Sequence, residues 1–120
     1  MKYMLLLCDA DRSAYEKMPK AESEKAYARI GQWWGEKAQK GVIVEGRELQ
    51  GPDQATTVKL KNGKAVVTDG PFIESKEAIG GYAIVNVPDL DAAIGVAKEW
   101  VTLLNWQAIV EVRPVVRGEE

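Results

Sequence analysis

Histidine is absent from all 120 residues. Its absence removes Ser-His-Asp and Cys-His nucleophilic schemes, imidazole ligation of metals, and the side chain whose ordinary pKa lies nearest neutrality. Acid–base chemistry is left to carboxylates, lysines and tyrosines. Cysteine is nearly absent as well: Cys8 stands alone, so no internal disulfide can form. With no histidine to activate it, its thiol reads as a small buried hydrophobe, which points to a reduced, cytoplasmic setting. Long apolar runs are also missing. In "MKYMLLLCDAD" the run is stopped by Asp9 and Asp11 before the roughly 7 to 15 apolar residues of a secretory leader. No stretch reaches the roughly 20 that cross a bilayer, so no membrane partner is expected. Nor is there an excess of one charge. Sixteen Lys and Arg stand against eighteen Asp and Glu, without the clustered positive face that a phosphate backbone requires, so nucleic acid is not an expected partner.

Motifs for cofactors are missing too. There is no Gly-rich phosphate loop followed by Lys-Ser/Thr, no G-x-G-x-x-G, and no cysteine pair at zinc spacing. Asp9, Asp11 and Glu16 are too loosely arranged for a calcium loop. The expected cofactor and metal content is none.

The patterning that is present supports one domain, since a chain of this length with nearly half its residues apolar buries one good core and not two. "KYMLLLC" (2–8) suits a central strand. From Pro19 to Lys40 the apolar spacing changes to three and four, and Tyr27, Ile30, Trp34 and Ala38 share a stripe. That pattern predicts an amphipathic helix with Pro19 in its first turn and Gly41 as its stop. Trp33, off the stripe, shields a helix edge or meets another subunit. "VIVEGRELQ" (42–50) returns to strand character. "TTVKL" and "KAVVTD" flank Asn62-Gly63, the pair that supplies the two positive φ angles of a type I′ hairpin turn. "GYAIVNV" (81–87) is a further strand. Pro88 and Asp89 open a second helix with a stripe of Leu90, Ala93, Ile94, Ala97, Val101 and Leu104, and "QAIVEVRPV" is the last strand.

The order strand, helix, strand, hairpin, strand, helix, strand predicts an α+β fold. It is a ferredoxin-like two-layer sandwich: an antiparallel sheet with two helices on one face and an extra β-hairpin. The domain is expected over residues 1–116, followed by a mobile C-terminal tail, 117–120.

The face of the sheet without helices then matters. Alternation sets Val42 and Val44 apart from Ile43, Glu45 and Arg47, and Ala108, Val110 and Val112 apart from Ile109, Glu111 and Arg113. One face is uniformly apolar; the other mixes isoleucine with charge. The mixed face suits a surface partly buried against a twin subunit and partly lining a polar cleft. Glu45, Arg47, Glu111 and Arg113 are then candidate cleft charges, with Tyr82 and Tyr3 beside them. Cross-strand ion pairs on a solvated face explain the same pattern.

"VVTDGPFIESKEAIGG" (66–81) is the other candidate. Asp69 ends a hairpin strand, Gly70 and Pro71 set the turn, and Phe72 supplies an apolar anchor. Lys76 places an ammonium near the acid in sequence, and Gly80-Gly81 removes two side chains where a ligand or backbone approaches. Asp69 as an acid–base or orienting group needs burial to raise its pKa; Asp69 accepting N–H bonds from its own turn needs nothing further.

"TDGPFIESKEAIGGYAIVNVPDLDAAI" (68–94), with "VEVRPV" (110–115), "GVIVEGREL" and "TTVKL", resembles the signature of the DGPF group within the YCII-related family, over Met1 to Val116. The resemblance implies a homodimer closing into a dimeric α/β barrel, with a cleft at the sheet face near the dimer contact. It also implies a lyase- or isomerase-like enzyme and a regulatory association with an extracytoplasmic-function sigma factor. One branch of relatives uses a histidine–aspartate pair, a mechanism that cannot be carried over here. Where relatives have a Gly-rich loop, this chain has "WVTLLNWQA" (100–108), whose Trp100 and Trp106 extend a hydrophobic contact.

Three functions follow. The first is a homodimer whose cleft binds a small polar or anionic molecule through Arg47, Arg113 and Lys76 with Asp69 as acid–base group, joined by Tyr3, Glu45, Phe72 and Tyr82. The second is a regulatory protein-interaction module without catalysis. The third is a dimer that has lost its chemistry.

Overall fold

Asp89 begins its helix in the way its side chain predicts: Oδ1 accepts the Ala92 N–H at 2.9 Å, satisfying one of the donors that a helix start leaves over. Gly41 ends the other helix with φ +76°, and its N–H donates to the Ala38 carbonyl at 3.0 Å. Asn62 and Gly63 turn the hairpin with φ of 51° and 78°. The structure, a computed structural model, describes residues 1–9, 17–72, 78–104 and 108–116. The elements are β1 (Lys2–Asp9), α1 (Lys20–Gln39), β2 (Ile43–Glu48), a 3-10 turn (Pro52–Gln54), β3 (Thr56–Lys61), β4 (Lys64–Asp69), β5 (Ala78–Asn86), α2 (Leu90–Leu104) and β6 (Ala108–Pro114). Residues 117–120, expected as a tail, lie outside the described residues, as do Lys76 and Trp106.

The four-stranded sheet is antiparallel in the order β2-β5-β1-β6, with both helices on one face. This is the ferredoxin-like α+β sandwich that the element order predicts. Its core is Leu5, Leu7, Ile43, Ala83 and Val85 from the strands, with Val87 just past β5, against Ala93, Val96, Trp100 and Leu104 from α2. Strands β3 and β4 form a separate two-stranded sheet. Its residues are almost all exposed, Leu60 to 78%. The radius of gyration, 16.1 Å, exceeds the roughly 14 Å of a compact chain of this length, as a projecting arm requires.

Two face assignments differ from those expected. Ile43 is buried and Val44 exposed, because Ile43 pairs with Val85 and Glu45 with Ile84, leaving Val44 as a bulge that resets the strand's parity. Tyr3 is a core residue on the helix side, 3% exposed, and not a member of the open face. It shares that side with Leu5 and Leu7, the even alternation of β1 continuing without interruption. On β6 the alternation holds: Ala108, Val110 and Val112 pack toward the core, and Ile109, Glu111 and Arg113 face outward.

Candidate functional site

Among the described residues, a concave site lies on the helix side of the sheet, between α1 and the ends of β1, β2 and β5. It is a half-open pocket of about 540 Å³, within the 300–1,000 Å³ of small-molecule sites. It exists because side chains are missing. On α1 the stripe that should meet the sheet runs Tyr27, Ile30, Gly31, Trp34, Gly35, and the two glycines leave the helix backbone as a bare wall. A Cβ built at either would meet nothing within 4 Å. Across from them, Gly46, Gly80 and Gly81 bare the sheet. A Cβ at Gly46 would run into the Trp34 ring and lie 2.7 Å from the Tyr82 carbonyl oxygen.

Aromatic and aliphatic side chains close the buried end. Trp34 and Trp100 meet nearly at right angles, 6.1 Å between centroids, with Leu7, Ile30 and Leu104 in the same lining. The exposed end is polar. The Tyr27 hydroxyl donates to Glu48 Oε2 at 2.8 Å. The Asp9 carboxylate stands over Gly80, where a Cβ would approach Asp9 Oδ2 to 3.1 Å. Among the described residues, no group of three His, Cys, Asp or Glu side chains comes together to hold a metal, and no helix is long and apolar enough to cross a membrane.

Of the residues singled out from the sequence, Arg47 lines this pocket, its Nη1 donating to the Gly46 carbonyl at 2.7 Å. Tyr82 is its cross-strand neighbour on the open face. Glu45 is exposed on the same edge strand, while Arg113 pairs with Glu111 on the opposite edge. Three strand spacings, about 14 Å, separate β2 from β6, so within one chain these charges do not converge on a small ligand. Asp69 is exposed at the base of the hairpin, paired with Thr56, outside the pocket. Beside it Gly70, at φ +101°, donates its N–H to Ala55 O at 2.8 Å, and Thr57 Oγ1 donates to Gly70 O at 2.7 Å. Phe72 is 72% exposed, with Lys59 Nζ 5.7 Å from its ring centroid. Gly80 and Gly81 both line this pocket. Asp9, Tyr27 and Glu48 line the pocket and were not singled out from the sequence as site residues. The available signal was glycine at 31 and 35 interrupting the apolar stripe of α1.

The family model described as YCII-related domain matches residues 1–118. Among curated proteins, uncharacterized protein R00369 of Rhizobium meliloti (strain 1021) is 26% identical over 110 residues, covering 92% of this chain and 89% of that one.

Proposed function

From the premise that the chain belongs to the YCII-related family, we propose that it is a homodimeric small-molecule-binding protein whose ligand sits between α1 and the sheet. The observation that carries this reading is the glycine-walled pocket of about 540 Å³ with its polar groups gathered at one end. The ligand site is therefore assigned to the helix side, not to the open face or to Asp69. In the lyase- or isomerase-like extension of this reading, proton transfer falls to Glu48, Asp9 or Tyr27, the carboxylates and phenol of the described lining. The single cysteine suits a cytoplasmic setting.

Support for the dimer comes from the hairpin. A two-stranded sheet is marginal in water by itself, and this one exposes Val58, Leu60 and Val67 together on one face. A second copy of the chain, itself presenting an open sheet face with Ile79, Ile109 and Val44 exposed, is the partner that covers it. The same hairpin favours a second reading, a regulatory module docking on a sigma factor. Light scattering separates the two: the pure chain runs at twice the monomer mass and Leu60→Asp returns it to the monomer if the arm serves the dimer, whereas a monomeric wild type rejects that role.

The pocket is tested by thermal shift against a small-metabolite library, in the wild type and in Gly35→Leu, which places an isobutyl group in open space at the pocket mouth. Compounds that raise the wild-type Tm are expected to lose their effect in the variant. Equal shifts in both proteins would refute the assignment.

A further inference from the structure

The pocket's two ends differ in chemistry, and the difference selects a ligand. Trp100 and Leu104, at one end, are buried; Glu48 and Tyr27, at the other, are exposed. Gly46, against which Trp34 packs, and Glu48 are two residues apart on β2, and so point to one face about 7 Å from each other. An aromatic ring with a two-atom arm spans that distance. A carboxylate has about four lone-pair sites and no proton to give, and the Tyr27 hydroxyl occupies one of those of Glu48. The remaining capacity suits a donor. Arg47, between Gly46 and Glu48 on β2, points to the opposite face beside Tyr82, its Nη1 on the Gly46 carbonyl. An anionic group brought to Glu48 meets like charge, whereas a hydroxyl or an ammonium makes a charge-assisted hydrogen bond. The ring's place is bounded by glycine backbone on both sides and by indole at its end, which favours a flat shape over a branched one.

Resting on the pocket reading above, we infer that the occupant is a planar aromatic molecule bearing a hydroxyl or ammonium group, its ring against Trp34 and Trp100 and its donor on Glu48, and that the matching carboxylate is rejected. Three probes of one shape test this: 2-phenylethylamine, 2-phenylethanol and 3-phenylpropionate, titrated into 15N-labelled protein while the indole N–H signals are followed. The amine and the alcohol shift the Trp34 and Trp100 signals and bind at least about tenfold more tightly than the acid. Glu48→Gln, at an exposed position, keeps the spectrum of the folded protein and weakens the amine by about tenfold. If the acid binds as tightly as the amine, the ligand class is wrong while the pocket stands. If the amine binds Glu48→Gln unchanged, the donor does not sit on Glu48 and the inference is overturned. If no probe moves either indole signal, the pocket reading falls and the ligand class with it.

Discussion

Helix α2 buries Ala93, Val96, Ala97, Trp100 and Leu104 against the sheet, whereas α1, with 20 residues to its 15, buries Ala26 alone. Both lie on the same sheet face, and both have apolar residues at helical spacing. The difference is what stands between those residues. On α2 small and large side chains interlock, and the helix becomes core. On α1 glycine takes two positions of the stripe, tryptophan a third, and the helix is held away from the sheet by the indole of Trp34 resting on Gly46. One seam is packed to exclude everything; the other is propped open.

The comparison breaks most severely at Trp100, which belongs to both seams. Trp100→Ala removes the ring that packs on Trp33 and Trp34 and is expected to cost about 3–5 kcal/mol, read as a lower urea midpoint at unchanged slope. Next is Gly46→Val. The Trp34 ring can swing away from the new Cβ, but the Tyr82 carbonyl 2.7 Å distant is backbone and cannot, so a loss of about 1–3 kcal/mol is expected in the same measurement. Gly31→Ala and Gly35→Ala sharpen the contrast in the opposite direction. Each methyl enters open space and each removes a helix glycine, so each is expected to add about 0.5–1 kcal/mol and raise Tm by a few degrees. A helix that keeps two such glycines gives up stability to keep its wall bare.

The smallest effect lies where the helices join. Glu99 of α2 accepts from Trp33 Nε1 at 2.9 Å and from Lys37 Nζ at 2.8 Å, both on α1. Burial alone would raise its pKa, but the hydrogen bonds from Lys37 and Trp33, with the charges of Lys37 and Lys40, outweigh it and hold the carboxyl below the usual glutamate range. A depressed carboxyl contributes stability above the ordinary value near 4.3 and loses it as pH falls through the lower folded one. Between pH 5 and 3 the wild type should lose slightly more stability than Glu99→Gln. With the Glu99 side chain 47% exposed, the difference is about 0.3–0.5 kcal/mol, measured by urea titration at each pH.

The architecture was legible because it is written in local signals. Alternation marks the strands, Asp89 and Gly41 mark helix ends, and Asn62-Gly63 needs positive φ in any fold. Parity along β2 was not legible: a single bulge at Val44 exchanged the expected faces of Ile43 and Val44 while Glu45 and Arg47 kept theirs, and no residue in "VIVEG" announces it. The pocket lies one layer away from the open face to which the strand alternation drew attention. Asp69 drew attention as an acid among turn residues, yet Asp69 sits on the exposed hairpin. Glu48, between Arg47 and Leu49 with no local motif to mark it, reaches the pocket because β2 pairs with β5 and passes under Tyr27.

By itself the sequence determined the order and type of the elements, the helix ends at Asp89 and Gly41, the absence of imidazole chemistry, and membership of a family. These depend on residues within a few positions of one another, or on composition alone. Only the tertiary structure decided that five glycines from one helix and two strands share a void, and that Tyr27 meets Glu48 across 21 positions of chain. An empty volume is a property of what surrounds it: no glycine encodes a pocket until packing has brought the others opposite.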